Sequence, residues 1–322
     1  MDRPTARAAT RRVPSHDPLL REILDGLRAE QPTLPCKLFY DEHGSQLYEQ
    51  ITALDEYYPY RAEVEILERH GPAIARALGE GALVVEYGSG SSVKTRLLLD
   101  CLPDCAGYVP IDISGEHLAR AARSIAEHYP GLHVEHLCAD FTEPVRLPAH
   151  FAVQRRRVAF FPGSTIGNFD PPAATRLLRN IRDLVGAGGR LLVGVDIPKD
   201  RATLERAYDD PHGVTARFNR NILTHINRLF GADFDPDCFR HEAIWNPQRS
   251  RVEMHLRCIR DHDATLAGER IAFSRGQSIW TESSHKYSPE RFQEICAAAD
   301  FAAETVWFDD RERYSLHLMR AV

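Results

Sequence analysis

An apolar strand, a glycine loop and a helix follow one another in the segment VVEYGSGSSVKT, Val84 to Thr95. The strand carries Glu86 near its end, and Gly88 and Gly90 come directly afterwards. Glycines let the backbone approach a ligand closely, and the first turn of the next helix offers unpaired N–H groups. The segment therefore predicts a cradle for a small molecule at the carboxyl end of a strand.

Two phosphate-binding motifs compete for this loop. A P-loop and a dinucleotide loop both require a further glycine at position 93, where this chain has Val93. Val93 therefore argues against a nucleoside triphosphatase. It also weakens the interpretation as a Rossmann-type oxidoreductase, which stays open as an alternative. An acidic residue just before the G-x-G is instead typical of loops that hold S-adenosylmethionine in methyltransferases.

Strands and helices alternate on both sides of the loop. This alternation predicts an α/β fold, in which a parallel sheet has helices on both faces. The predicted strands are Ala82–Tyr87, Ala106–Ile113, Leu132–Cys138, Arg157–Phe161 and Arg190–Ile197.

The alternation stops after the fifth strand. A helical stretch, Arg201–Phe230, is followed by RVEMHLRCI, whose period of two predicts a half-buried antiparallel strand. A helix at Ser288–Ala299 and strands at Glu304–Phe308 and Tyr314–Arg320 then complete a Rossmann-like, seven-stranded sheet of the class I methyltransferase type. The predicted division is a mobile tail (1–15), a cofactor domain (61–198 plus 287–322) and an inserted second, substrate-binding lobe (16–60 plus 199–286).

Composition narrows the classes of partner. A net charge of -6 and a pI near 6.2 argue against binding to nucleic acid through phosphate contacts. No apolar run is long enough to span a membrane, so no membrane partner is predicted. The seven cysteines, with no C-x-x-C spacing, predict reduced thiols in the cytoplasm. His133 and His136 stand as H-x-x-H without a clustered third ligand, so no metal site is predicted.

Polar residues at the strand ends are the candidate ligand contacts. Asp112 ends the second strand, where a carboxylate accepts from ribose hydroxyls; the alternative is a helix N-cap, which Ser114 already supplies. Asp140 and Phe141 end the third strand and suit the amine and ring of adenine, although Phe141 suits a core equally. Lys94, one turn beyond the glycines, suits the carboxylate of a cofactor.

Six segments together resemble the histidine N-alpha-methyltransferases of ergothioneine biosynthesis, over roughly residues 30 to 320. The resemblance implies a monomeric, two-lobed enzyme that uses S-adenosylmethionine to trimethylate the α-amine of free L-histidine, through its mono- and dimethyl forms, to hercynine. The segments are FYDEHGSQLYEQIT, EYYPYRAE, VVEYGSGSSVKTRLLLD, FPGSTIGNF, the VEM of RVEMHL, and TESSHKYS.

The same resemblance implies roles for individual residues. Cofactor contacts would come from Tyr40, Gly88, Lys94, Asp112, Asp140 and Phe141. Tyr57 and Asn168 would be catalytic and, with Tyr208, would surround the amino and carboxylate groups of the substrate; Tyr58 is the alternative to Tyr57. Glu282 and Ser284 would contact the imidazole nitrogens, with Met254 beside the ring. Methylation of another free amino acid such as tryptophan, and a non-catalytic S-adenosylmethionine-binding protein, stay open as alternatives.

Overall fold

The central sheet of the computed structural model has seven strands, and the model describes residues 17–90, 92–102, 104–151 and 153–322. The predicted tail, 1–15, lies outside the described residues. The strands are, in chain order, β1 (Leu83–Tyr87), β2 (Gly107–Asp112), β3 (Leu137–Cys138), β4 (Arg157–Phe161), β5 (Arg190–Asp196), β6 (Phe239–Asn246), β7 (Arg251–Cys258), β8 (His262–Leu266), β9 (Glu269–Phe273), β10 (Ser278–His285), β11 (Phe301–Phe308) and β12 (Tyr314–Ala321).

In space the sheet runs β11-β12-β5-β4-β1-β2-β3. The pairs from β5 to β3 are parallel, whereas β12 is antiparallel to β5 and β11 to β12. The α/β class and the seven-stranded sheet are thus confirmed. The helices are α1 (Pro18–Leu27), α2 (Glu42–Thr52), α3 (Tyr58–Leu78), α4 (Val93–Asp100), α5 (Gly115–His128), α6 (Pro171–Val185), α7 (Arg201–Tyr208), α8 (Val214–Phe230) and α9 (Pro289–Ala297).

Three predicted elements differ in extent, and the smallest difference is in β11, which begins at Phe301 rather than at Glu304. The third strand is two residues long rather than seven, since 132–136 reaches β2 only through hydrogen bonds between Tyr108 and its neighbours His133 and Glu135. The helical stretch 201–230 is two helices, because Pro211 and a left-handed Gly213 interrupt it. The Asp210 carboxylate then caps the N-terminus of α8, because it accepts hydrogen bonds from the backbone N–H groups of Val214 and Thr215.

The inserted region forms a separate antiparallel sheet in the order β10-β7-β6, and the predicted strand in RVEMHLRCI is confirmed as β7. One hydrophobic cluster takes its buried side chains only from within 20–58 and 204–279. The clusters on the two faces of the seven-stranded sheet share no residue with it. The division into two lobes stays a prediction, and this distribution of buried side chains supports it.

Candidate active site

A cavity of about 300 Å³ opens at the carboxyl ends of β1, β2 and β4. All six predicted cofactor residues and one predicted substrate residue line it. The other substrate candidates do not line this cavity: Tyr57, Tyr208, Met254 and Ser284 are buried, and Glu282 is half-buried. The lining candidates are Tyr40, Gly88, Lys94, Asp112, Asp140, Phe141 and Asn168.

The glycine loop connects β1 to α4 through left-handed backbone. Gly88 has a φ of 74°, a conformation that glycine adopts without strain. A side chain at Gly88 would come within 3.8 Å of the Phe141 ring, whereas one at Gly90 would meet nothing within 4 Å among the described residues. The loop therefore leaves room above its backbone for a ligand that Phe141 borders.

Asp112 has one carboxylate oxygen engaged at the edge of the cavity. Its Oδ1 accepts from the backbone N–H of Ser114 at 2.8 Å, and burial raises the pKa of the carboxyl. Ser114 occupies the N-cap position of α5, but its side chain makes no capping hydrogen bond, so the expectation that it caps the helix was wrong. Asp112 therefore serves the start of α5 through Oδ1.

Asp140 is held in place by its own loop. Its Oδ1 accepts from the backbone N–H of Thr142 at 3.0 Å and from the Thr142 hydroxyl at 2.5 Å, and Lys37 Nζ lies 3.4 Å from Oδ2. Burial alone would raise the pKa of Asp140, but the Thr142 and Lys37 contacts outweigh it and the pKa is lowered. Asp140 is therefore a preorganised acceptor beside Phe141.

Lys94 already has a protein partner. Its ammonium lies 2.7 Å from Oε2 of Glu63, whose side chain has no exposed surface and which also accepts from the Gly163 backbone. Sequence reasoning missed Glu63, because a lysine on the first turn of a helix carries no signal of a distant acidic partner. A cofactor carboxylate would share the Lys94 charge with Glu63.

Four tyrosine rings lead from the cavity to the end of α7. The centroids are 6.0 Å apart for Tyr40 and Tyr48, 6.4 Å for Tyr48 and Tyr57, and 6.0 Å for Tyr57 and Tyr208, each in an edge-to-face arrangement. Burial raises the pKa of Tyr57 well above its ordinary value, so its hydroxyl is neutral. This row of rings thus connects Tyr57 and Tyr208, two predicted substrate residues, to the cavity.

Asn168 and Glu282 join the cavity to the second sheet. Burial raises the pKa of Glu282 to about 8, although the nearby Lys286 charge and the Asn168 side chain both act to lower it. Glu282 and Ser284 lie two residues apart on β10, on the same face, and Met254 pairs with Glu282 across the β10–β7 ladder. The Ser284 hydroxyl lies 2.7 Å from the Tyr208 hydroxyl. The structure therefore groups the predicted substrate residues next to the cavity.

Asp196, at the end of β5, is a buried carboxylate that two lysines and a tyrosine surround, and sequence reasoning missed it. Lys286 Nζ donates to its Oδ2 at 2.7 Å, Lys199 Nζ to its Oδ1 at 2.6 Å, and the Tyr58 hydroxyl donates to the same carboxylate. Burial would raise the pKa of Asp196, but the two lysines lower it. Tyr58, the alternative to Tyr57, is thereby committed to a structural contact.

His285 faces away from Glu282 and Ser284. Its Nδ1 lies 2.9 Å from the carbonyl oxygen of Gly167, and its ring stacks on Tyr287. Burial lowers the pKa of the ring. His285 therefore packs against the loop that carries Asn168.

His133 has neighbours that the sequence did not predict. Its ring nitrogens and those of His150 lie within 4.8 Å of a Glu135 oxygen and of one another, whereas His136 is outside the group. The expectation of no third potential ligand was therefore wrong. A 3.1 Å contact between His150 Nε2 and Glu135 Oε2 and the stacking of the two histidine rings account for the cluster without a metal ion, and the absence of a metal stays a prediction.

In the described part of the chain, no helix combines the length and apolarity needed to cross a membrane.

The chain has clear relatives among known proteins. Residues 19–321 match the family described as "Histidine-specific methyltransferase, SAM-dependent". Histidine N-alpha-methyltransferase of Mycolicibacterium smegmatis is 40% identical over 93% of this chain and 94% of its own length. Ergothioneine biosynthesis protein 1 of Neurospora crassa is 31% identical over 89% of this chain and 33% of its own length. The 4-dimethylallyltryptophan N-methyltransferase of Trichophyton verrucosum is 26% identical over 92% of both chains.

Proposed function

Because the chain belongs to the histidine-specific, S-adenosylmethionine-dependent methyltransferases, we propose that it trimethylates the α-amine of free L-histidine to hercynine, as in ergothioneine biosynthesis. The observation that carries the proposal is that the Asn168 side chain, which lines the cavity, lies beside the Glu282 carboxyl. This arrangement sets a carboxyl suited to an imidazole next to the cavity that holds the predicted cofactor residues. The proposed substrate-binding lobe comprises 16–60 and 199–286.

The residues of the cavity fit S-adenosylmethionine. Asp112 keeps one oxygen for the ribose, Asp140 is an ordered acceptor for the adenine amine, and Phe141 borders the glycine loop. Tyr40 and Lys94 line the same cavity toward the second lobe. When bound, S-adenosylmethionine supplies an electrophilic methyl group on its sulfonium sulfur.

The residues around the amine would act by positioning it. An ammonium has no lone pair, so the α-amine must lose its proton to solvent before it accepts a methyl group. The neutral Tyr57 hydroxyl and the Asn168 amide can accept from and donate to a neutral amine, and they hold it without a charge that would favour the ammonium. Holding donor and acceptor in line accounts for most of the rate in a reaction without a covalent enzyme intermediate.

The imidazole would be recognised at both nitrogens. A neutral imidazole has one N–H donor and one acceptor nitrogen, which matches an ionised Glu282 carboxylate and a Ser284 hydroxyl that donates. Met254, buried and paired with Glu282 in the ladder, would pack beside the ring.

An amino acid without an imidazole is the competing substrate, and the 4-dimethylallyltryptophan relative makes an indole the relevant case. An indole N–H could reach Glu282, but an indole has no acceptor nitrogen for Ser284. A buried hydroxyl hydrogen left without an acceptor costs about 1–3 kcal/mol, which favours histidine. A non-catalytic binding protein would have no need of this arrangement.

We also propose a monomer that acts in the cytoplasm, with small molecules as its partners and no nucleic acid among them. The seven free cysteines support a reducing compartment. Light scattering coupled to size-exclusion chromatography tests the monomer, since a mass of twice 36.4 kDa would contradict it.

The test of the function is a substrate panel. The purified protein is incubated with S-adenosylmethionine and each free amino acid in turn, and the masses of the products are measured by mass spectrometry. Histidine that gains three methyl groups is the expected result. Methylation of tryptophan in preference to histidine would contradict the substrate while keeping the reaction class, and no methylation of any amino acid would support the non-catalytic alternative.

A further inference from the structure

Lys286 is a buried cation directly behind the predicted imidazole site. Its side chain has no exposed surface, and its Nζ lies 2.7 Å from Asp196 Oδ2, 2.7 Å from the Tyr208 hydroxyl and 2.9 Å from the Ser284 hydroxyl. Burial alone would lower the pKa of Lys286, but Asp196 and Tyr208 outweigh it and the pKa is raised. Lys286 therefore stays an ammonium, and its three hydrogens meet three acceptors.

This contact decides how the two hydroxyls share their hydrogens. An ammonium only donates, so Tyr208 and Ser284 must both accept from Lys286. The two hydroxyls are also 2.7 Å apart, and one of their two hydrogens fills the space between them. A single hydroxyl hydrogen remains for a ligand.

We propose that Lys286 is a specificity-determining positioning residue, which orients the Tyr208 and Ser284 hydroxyls so that the pair presents one hydrogen to the substrate. The inference rests on the proposed function, because its ligand is the histidine side chain. With Glu282 as the acceptor, the site then offers one donor and one acceptor, which is the pattern of a neutral imidazole. Without Lys286 the two hydroxyls still hydrogen-bond each other, but their free lone pairs can then accept from the substrate as well, and this pattern is lost.

Asp196 extends the effect to the rest of the site. Its backbone N–H donates to the Ser164 hydroxyl at 3.0 Å, and Ser164 lies in the loop that ends at Asn168. Its carboxylate also accepts from Tyr58, the neighbour of Tyr57. The Lys286–Asp196 ion pair therefore holds the end of β10, which carries the Ser284 hydroxyl, against the seven-stranded sheet.

Lys199 offers a matched control. It donates to the same Asp196 carboxylate at 2.6 Å, and its other partners are the Tyr58 hydroxyl and the carbonyl of Ile197. Lys199→Met and Lys286→Met each leave Asp196 with one lysine, but only the second removes the donor to Tyr208 and Ser284. A general loss of stability affects both variants, whereas a specific effect on recognition affects one.

The experiment first establishes that the unaltered protein methylates histidine, so that failure of the proposed function is recognised separately. Lys286→Met is then expected to raise the KM for histidine about tenfold or more, as the loss of charge-assisted hydrogen bonds implies, and to narrow the preference over tryptophan. The KM for S-adenosylmethionine should change less than about twofold, and Lys199→Met should leave the histidine KM within about twofold. Equal increases in histidine KM for both variants, or no increase for Lys286→Met, would overturn the proposal.

A second measurement does not depend on a variant that folds. The unaltered protein is saturated with S-adenosylhomocysteine and ring-¹⁵N-labelled histidine, and the two nitrogen chemical shifts are recorded by NMR. One hydrogen-bond donor facing one acceptor predicts a single neutral tautomer. Shifts averaged between the two tautomers would contradict the fixed hydroxyl orientation.

Lys286→Gln is a further variant, and its side-chain amide retains an N–H donor. Its KM for histidine should lie between that of the unaltered protein and that of Lys286→Met.

Discussion

Lys94 and Glu63 form an ion pair with 2.7 Å between Nζ and Oε2, and the Glu63 side chain has no exposed surface. Removing one partner of a buried pair leaves the other charge without compensation. The pair therefore makes Lys94 a structural residue whatever it contributes to cofactor binding.

Lys94→Met should lower the free energy of unfolding by about 3 kcal/mol or more, because Glu63 is left buried without its cation. The measurement is urea denaturation at neutral pH. In the control, Lys94→Met combined with Glu63→Gln, both charges are gone and most of the lost stability should return. A single variant as stable as the unaltered protein would show that the pair is unimportant for folding.

Asp112→Asn should weaken the binding of S-adenosylmethionine about tenfold to a hundredfold, since charge-assisted hydrogen bonds are each worth about 1.5–3 kcal/mol. Asparagine keeps an oxygen for the Ser114 backbone, so the start of α5 is preserved. Isothermal titration calorimetry gives the dissociation constant. Asp104→Asn, at an exposed position outside the cavity, is the control, and equal affinities for the two variants would exclude a ribose contact.

Gly167→Ala should lower kcat/KM for histidine about tenfold, because a methyl group there would lie 2.7 Å from the carbonyl oxygen of His285. That carbonyl belongs to β10, so the loop with Asn168 must move away from Glu282. Gly131→Ala is the control, since a methyl group there meets nothing within 4 Å of the described residues. Unchanged kinetics in Gly167→Ala would show that the contact between loop and strand does not position Asn168.

Glu282 should make histidine binding depend on pH. Its pKa is raised to about 8, so in the free protein the carboxyl is mostly protonated below that pH. Accepting from an imidazole N–H requires the ionised form. The ratio of dissociation constants, Glu282→Gln over unaltered protein, should therefore increase as pH rises from about 6.5 to about 8.5, then level off. Taking this ratio cancels the titration of histidine itself, and a ratio that does not vary with pH would contradict the assignment.

The same raised pKa has a consequence for stability. A carboxyl whose pKa is higher in the folded than in the unfolded protein stabilises the fold most below its ordinary value of 4.5, and this contribution declines as pH rises toward about 8. Glu282→Gln should remove that decline, which urea denaturation between pH 5 and pH 8, in the absence of ligand, measures directly.

The sheet was predictable because each of its strands is a short apolar run bounded by turn residues. The third strand was overextended, since alternation in 132–138 resembles a strand although only Leu137 and Cys138 pair regularly with β2. The break between α7 and α8 had a local signal, the Pro211 and Gly213 pair, that helical periodicity on either side concealed. Local pattern therefore predicted which elements exist better than where they end.

The cofactor residues were predictable because strand ends in a parallel sheet meet at one edge. Glu63 and Asp196 were not, since Lys94 and Lys286, which pair with them, lie far along the chain. Lys199 is close to Asp196 in sequence, but this spacing does not reveal that the pair is buried. Lys286 did carry a signal, because Glu282 and Ser284 share one face of β10 and Lys286, directly after the strand, continues the same alternation. A lysine is exposed in most proteins, and this general tendency hid the alternation.

The central claim is transfer of three methyl groups to the α-nitrogen of histidine, and the position of the methyl groups tests it most directly. The protein is incubated with histidine and S-adenosylmethionine labelled with ¹³C in the methyl group, and the product is examined by NMR. We predict one methyl resonance from three equivalent methyl groups on the α-nitrogen, with the imidazole unsubstituted. Methyl groups on a ring nitrogen, or no labelled histidine at all, would contradict the claim.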